Sequence, residues 1–295
     1  MKRKIPDLRY EMSEEEIAKI KRIEIALLDD FVHVCNELHL VYFLCAGTLL
    51  GAVRHQGFIP WDDDIDVQMP RKDYEIFARE GQKLLKKNYV LESVYSYAEC
   101  YDNFMKIRDV NTTFVESTTR NFDLPHGVYI DIFAIDPLPD DERKRRRYSY
   151  RIELYKSRVL NKVCKSQFLP KRSIKGKLFT LYSFIASGFL SPRKAVLKRD
   201  RFILSYQDMS ASDLIVESKT SRLYKKEIFA GTSDVTFEGK IYKGPKLCKE
   251  YLMVQYGPNY MELPPIEKRH PHHYCCMLDL EKSYIDVLER YLLKR

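Results

Sequence analysis

The segment FIPWDDDIDVQMP, residues 58–70, sets the tightest limit on how this chain folds, because it crowds four aspartates into five positions of a run that reads as a buried β-strand. Alternate residues of a strand share a face, so Asp62, Asp64 and Asp66 are expected to project one way while Ile65 and Val67 enter the core. Like charges repeating at about 6.5 Å in an effective dielectric near 20 repel by roughly 2.5 kcal/mol per neighbouring pair. No cation lies inside the run to offset this. A divalent metal would, and hard cations such as Mg²⁺ take carboxylate oxygens while sharing their other positions with water and phosphates. Asp63 falls on the opposite face or in the turn, and no chemistry is assigned to it. The plain alternative is a solvated, acidic strand end.

The surrounding pattern predicts a sheet domain. Ser13 and Glu16 form a capping box, and Ile17, Ile20, Leu27, Val34 and Leu38 recur at helical spacing, which predicts a helix over 13–38. VYFLCAG reads as a buried strand ending at Gly47, TLLGAVRHQ as a short helix and IDVQM as the next strand. RKDYEIFAREGQKLLKK is helical, and YVLESVY, FMKIRDV, TTFVES and GVYIDIFAI read as four further strands. Strands interleaved with helices indicate an α+β chain with an α/β-like mixed sheet over residues 13–140. Three basic helices follow, DDERKRRRYSYRIELYKSRVLNKV, IKGKLFTLYSFIASGFL and SPRKAVLKRDRFILSYQDM, the last with Pro192 near its start. The tail reads as short strands with turns at Glu238-Gly239 and Gly244-Pro245, the helix KLCKEYLMVQYG, a proline-rich loop ELPPIEKRHPHH and a final helix from Leu280.

Two features strengthen the metal reading. CAGTLLG puts Gly47 and Thr48 between a strand and a helix, where backbone N–H groups can meet a phosphate. GVYIDIFAID isolates Asp131 in an apolar strand, and a lone buried carboxylate is costly unless paired or bound to metal. Asp136, just before Pro137, reads as a turn or cap residue.

A hydrophobic-Gly-Thr turn, an Asp-x-Asp strand and a later carboxylate resemble the nucleotidyltransferase superfold, with a slightly long spacing from Thr48 to Asp64. YFLCAGTLLGAVRHQGFIPWDDDIDVQMPRKDYEIF, MKIRDVNTTF, HGVYIDIF, FEGKIYKGP and YLMVQYGPNYMELPPIEKRHPHH together resemble the LicD, or phosphorylcholine transferase, family over about residues 40–275. The resemblance implies a nucleotidyltransferase-like core at 1–140 with the N-terminal helix, a basic helical section at 141–210, where the match is weakest, and a C-terminal region at 211–295 that completes the active site. It implies transfer of phosphocholine or a phospho-polyol from a CDP-linked alcohol to a sugar hydroxyl of a cell-surface glycan, with release of CMP. Mg²⁺ would then be held by Asp64 and Asp66, with Asp62 as a third ligand or a support and Asp131 completing the site or accepting the hydroxyl proton. Arg54 and His55 could face the diphosphate, and Lys106 and Arg108, two apart on a strand, could contact phosphate or nucleotide. Arg269, His270, His272 and His273 match the family's C-terminal motif and are expected to close the site or contact substrate. Their spacing is not that of a zinc helix.

Composition bounds the rest. At 295 residues, with 45% hydrophobic and 31% charged, the chain reads as folded and soluble. No window nears the roughly 18 apolar residues needed to span a bilayer, and MKRKIPDLRYEMSEEE lacks the apolar region of a secretory signal. A cytoplasmic location is expected, with reduced cysteines. The net charge of +8 is concentrated between Arg143 and Arg201, where nineteen Lys and Arg stand against Glu153 and Asp200, leaving the remainder acidic. Such a section is a solvated face, an attachment to the anionic inner face of the membrane with LFTLYSFIASGFL as its apolar side, or a nucleic-acid surface. Membrane contact suits a lipid-linked glycan acceptor. No nucleic acid is expected, since RNP-type aromatics, zinc fingers and a zipper pattern are absent. The rival readings are a nucleotidyltransferase that releases pyrophosphate from CTP and a basic nucleic-acid-binding protein without catalysis.

Overall fold

The first helix is secured by its cap: Glu16 N–H donates to Ser13 Oγ at 3.2 Å and Ser13 N–H to Glu16 Oε2 at 2.8 Å, an arrangement worth about 1 kcal/mol. That helix, α1 (Glu14–Glu37), buries Ile20, Leu27, Leu28, Phe31 and Val34 against the sheet. The structure, a computed structural model, describes residues 9–139, 141–163, 178, 181, 182, 185, 191–206, 213–217, 222–271 and 274–293.

The main sheet is mixed. It contains β1 (Phe43–Leu44), β2 (Asp66–Pro70), β3 (Tyr89–Glu92), β4 (Met105–Asp109) and β6 (Val128–Pro137), in the order β1-β2-β6-β4-β3. β2 runs parallel to β6, and the other neighbours are antiparallel. Past residue 132, β6 exchanges β4 for β7 (Leu214–Glu217), which in turn pairs with β8 (Leu223–Lys225). Segments from after the basic section therefore extend the same sheet. Strand β5 (Thr113–Glu116) pairs with β11 (Cys275–Asp279), and β9 (Thr232–Phe237) with β10 (Lys240–Pro245). Glu238 and Gly239, with φ of 49° and 74°, make the tight turn of the latter hairpin. The class is α+β, as expected.

The remaining helices are α2 (Ala46–His55), α3 (Arg71–Glu80), α4 (Glu142–Val163), α5 (Pro192–Leu204), α6 (Cys248–Tyr256) and α7 (Tyr284–Leu293). Ser191 caps α5 through Lys194 N–H, with proline in its first turn. Of the middle basic helix only Leu178, Leu181, Tyr182 and Ile185 lie within the described residues. They are helical and exposed. Among the described residues no helix is long and apolar enough to cross a membrane, and the six described cysteines are thiols outside any disulfide.

Several boundaries differ from the sequence reading. The strand before α2 is only two residues long, because Cys45 already caps the helix. α3 ends at Glu80 and passes into a 3₁₀ turn, Gly81–Lys83, and β3 stops at Glu92. Gly244 and Pro245 belong to β10 rather than to a turn, and α7 starts at Tyr284 rather than Leu280. Asp136 is no cap: it is buried inside β6 and accepts from Arg71 Nε at 2.6 Å and Nη2 at 3.1 Å, pinning α3 to the sheet.

Candidate active site

Three backbone contacts seat the acidic segment. Asp66 N–H donates to Thr48 Oγ1 at 2.8 Å, and Asp66 C=O accepts from Cys45 N–H at 3.1 Å, so the first turn of α2 grips the start of β2 from both sides. Asp131 N–H donates to Ile65 C=O at 2.9 Å. The clamp has a conformational cost, since Ala46 adopts φ of 45° while its N–H donates to Tyr251 Oη at 3.1 Å. A left-handed alanine costs on the order of 1 kcal/mol. Gly47 is needed for close approach: a Cβ there would lie 2.3 Å from Asp62 Oδ2.

Asp62, Asp63 and Asp64 are not on the strand. β2 begins at Asp66, and the three preceding aspartates lie on an irregular segment. Strict alternation therefore does not hold there, and carboxylate oxygens of Asp62, Asp63 and Asp64 all come within 4.8 Å of one another. Burial, then the charges of Asp64, Asp66 and Asp63, push the Asp62 carboxyl up to about 8. Glu24 of α1 adds a further acid. It is buried, its Oε2 has no hydrogen-bond partner, and burial followed by the charges of Asp64 and Asp63 raise it well above the usual carboxylate range.

This cluster lines a cleft of about 640 Å³ through Asp62, Asp64 and Asp66. Arg54, Lys268, Trp61, Tyr256 and Tyr260 also line it. Arg54 ties the wall together, donating from Nη1 to Tyr260 C=O at 2.9 Å and to Glu262 C=O at 3.0 Å. Arg269 lies 5.3 Å from the Trp61 ring and donates to Pro264 C=O at 2.8 Å. Burial, then Asp66 and Asp62, raise Tyr256, which keeps its phenol protonated beside the acids.

Behind the cleft a charged row crosses four strands. The register pairs Asp66 with Asp131, Asp131 with Lys106, and Lys106 with Glu92. Lys106 Nζ lies 3.1 Å from Asp131 Oδ1, though off the angle of a hydrogen bond, and 3.4 Å from Glu116 Oε1. Burial alone would lower the Lys106 ammonium, but Asp131 and Glu116 outweigh it and hold its affinity for the proton above the usual range. Arg108 is fully buried, with its three nitrogens on Glu92, Gly127 C=O and Glu116. Burial would raise Glu116, yet Lys106 and Arg108 hold it well below the carboxylate range.

With this geometry in hand, the relatives are informative. The family model described as "LicD/FKTN/FKRP, nucleotidyltransferase domain" matches residues 39–172. The lipopolysaccharide cholinephosphotransferase LicD of Haemophilus influenzae is 30% identical over 268 residues, covering 88% of this chain and 94% of that protein. The chain belongs to the LicD family. An uncharacterized protein of Rickettsia prowazekii is 32% identical to it over 129 residues, 44% of this chain and 42% of the relative.

In this LicD-family chain the expected site residues separate into two groups. Gly47, Arg54, Asp62, Asp64 and Asp66 line the cleft. Thr48 is buried, and its hydroxyl serves β2 rather than a ligand. His55 does not line the cleft; its ring sits 6.5 Å from that of Trp61, and burial, then Arg54, lower its pKa. Asp131 is buried behind Asp66. Lys106 and Arg108, expected to contact phosphate or nucleotide, face internal groups here: Lys106 lies against Asp131 and Glu116, and Arg108 donates from its three nitrogens to Glu92, Gly127 C=O and Glu116. Asp63, to which no chemistry was assigned, joins the acidic cluster. Arg269 braces the cleft wall and His270 Nδ1 lies 3.1 Å from Pro271 C=O, while His272 and His273 lie outside the described residues. Lys268 and Glu24 were missed. For Glu24 a signal existed, since an acid interrupts the apolar stripe of Ile20, Leu27 and Phe31.

Proposed function

We propose that this chain moves a phospho-alcohol, phosphocholine in the first instance, from a CDP-linked donor to a sugar hydroxyl of a glycan or lipid-linked glycan, releasing CMP. As a LicD-family enzyme it is a transferase of phosphorus-containing groups. The observation that carries the finer reading is the cleft itself, lined together by three aspartates, Arg54, Lys268 and three aromatic rings.

The donor set is all oxygen, and the Asp62 carboxyl is pushed up to about 8 by burial and its acidic neighbours, the condition a hard divalent cation relieves. Asp64 and Asp66, with Asp62, would hold Mg²⁺, which when bound neutralises phosphate oxygens. Arg54 and Lys268 add positive charge for the diphosphate. Trp61, Tyr256 and Tyr260 offer ring faces of the kind that hold a quaternary ammonium. The acceptor oxygen forms a bond to the phosphorus carrying the alcohol, the bond from that phosphorus to CMP breaks, and the hydroxyl proton passes to an aspartate of the cleft.

Peripheral attachment to an anionic membrane is the companion proposal. It is supported by Leu178, Leu181, Tyr182 and Ile185, helical residues at one-face spacing that are 61%, 55%, 53% and 68% exposed within the basic section.

The test is incubation with Mg²⁺ and a panel of CDP-alcohols. CMP appearing with CDP-choline supports the reading. Pyrophosphate from CTP, with no CMP from any CDP-alcohol, would replace it with nucleotidyl transfer.

A further inference from the structure

A second cavity, of about 260 Å³, lies between the basic helices α4 and α5 and the far end of β6. Its polar lining comprises Asp136, Tyr148, Ser149, Glu153 and Arg199. Tyr148 and Arg199 are each 2% exposed, yet Tyr148 Oη and all three Arg199 side-chain nitrogens have no hydrogen-bond acceptor among the described residues. The nearest counter-charge, Asp200 Oδ1, stands 3.7 Å from Arg199 Nη1, beyond hydrogen-bond reach, and itself accepts no hydrogen bond. Asp136 on the facing wall is no partner either, because both its oxygens accept from Arg71. Buried donors are almost always satisfied in folded proteins, so these call for an acceptor other than the described residues.

We propose that this cavity is a binding site for a small phosphate, either inorganic or a phosphomonoester, with Arg199 and Tyr148 as its donors. The planar guanidinium matches a tetrahedral oxyanion by paired N–H donation, and the phenol adds a further donor. Leu138, Ile152 and Ile203 line the rest of the cavity, giving an ester's carbon portion an apolar wall. The size suits a group smaller than a nucleotide, since pockets for drug-sized ligands begin at about 300 Å³. The site is separate from the cleft, because Asp136 lies five residues beyond Asp131 on β6, about 16 Å at the usual rise per residue.

Thermal unfolding of the full chain, titrated with inorganic phosphate and then glycerol phosphate in metal-free buffer, tests this, with chloride at matched ionic strength as the control. Without metal the aspartates of the cleft repel an anion. The midpoint should rise saturably with phosphate and not with chloride. Tyr148→Phe, which keeps the ring and its packing, should bind phosphate about tenfold more weakly through the loss of one charge-assisted hydrogen bond, and Arg199→Met should abolish the response. Asp64→Asn should retain it. A wild-type chain without a saturable shift means that water alone fills the cavity, and this overturns the proposal. So does undiminished binding in Tyr148→Phe, or loss of binding in Asp64→Asn. None of these readings depends on CMP release.

Discussion

Asp66 and Asp131 are register partners on adjacent parallel strands, yet they stand on different footings: Asp66 opens onto the cleft, whereas Asp131 is buried against Lys106. Their amides should therefore behave differently. Asp66→Asn removes a proposed Mg²⁺ ligand and a repelling charge, so CMP release should fall by about 10² to 10³, the equivalent of several kcal/mol of lost charge stabilisation, with the melting temperature held or raised. Asp131→Asn should also lower the melting temperature, because Lys106 loses half of its compensation. Parallel measurements of CMP release and thermal melting separate the two, and equal stability losses would contradict the assignment.

Arg108 gives the sharpest contrast with a ligand-binding reading. Arg108→Met leaves Glu92 and Glu116 as buried acids without their shared cation, and breaking a buried pair in this way costs about 3–5 kcal/mol. For a chain of this size that corresponds to a fall of roughly 10 °C in melting temperature. Urea unfolding should report the loss, while the KM for a CDP-alcohol in the folded fraction should stay near the wild-type value. A large rise in KM with unchanged stability would restore Arg108 to the ligand.

These contrasts mark where local pattern stops being informative. Helix α1 was legible because its capping box and apolar period are local, and β6 because ten residues of apolar strand admit few other structures. The aspartate row was misread in one respect: period two holds only inside a sheet, and the chain joins the sheet at Asp66, so Asp63 falls in with Asp62 and Asp64. Lys106 and Arg108 do share a face, as their spacing predicts, but whether that face meets a ligand or Glu92 and Glu116 depends on which strands and turns arrive beside it. The wall formed by Tyr256 to Lys268 comes from some two hundred residues away, and no local signal ties it to Arg54.

The raised carboxyl of Asp62 sets a pH dependence whose sign is opposite to that of an ordinary surface acid. Its folded value of about 8 exceeds the usual 3.8, so between these values the folded state binds the extra proton and stability falls as pH rises. The metal-free chain should therefore lose several degrees of melting temperature between pH 5 and pH 8. If Mg²⁺ occupies the site proposed above it takes the deprotonated cluster, so its stabilising effect should grow over the same window. Thermal melts with Mg²⁺ or with EDTA across this range check both trends. Asp62→Asn should flatten the EDTA curve, and an unchanged slope in that variant would mean that another group sets it.

Arg54 spans the cleft from α2 to the carbonyls of Tyr260 and Glu262. Arg54→Ala removes two charge-assisted hydrogen bonds, each worth about 1.5–3 kcal/mol, from the loop that carries Tyr260 and Glu262. The loop should then open, and limited proteolysis should cut between residues 258 and 268 faster than in the wild type. The KM for the CDP-alcohol should rise more than tenfold, since the cleft loses both a cation and the position of Tyr260 and Lys268. Arg54→Lys separates the two contributions: it retains the charge, yet its shorter side chain falls short of the Nη1 position that reaches both carbonyls, so proteolysis should stay fast while KM recovers in part. Full recovery of both with lysine would show that charge alone is what Arg54 supplies.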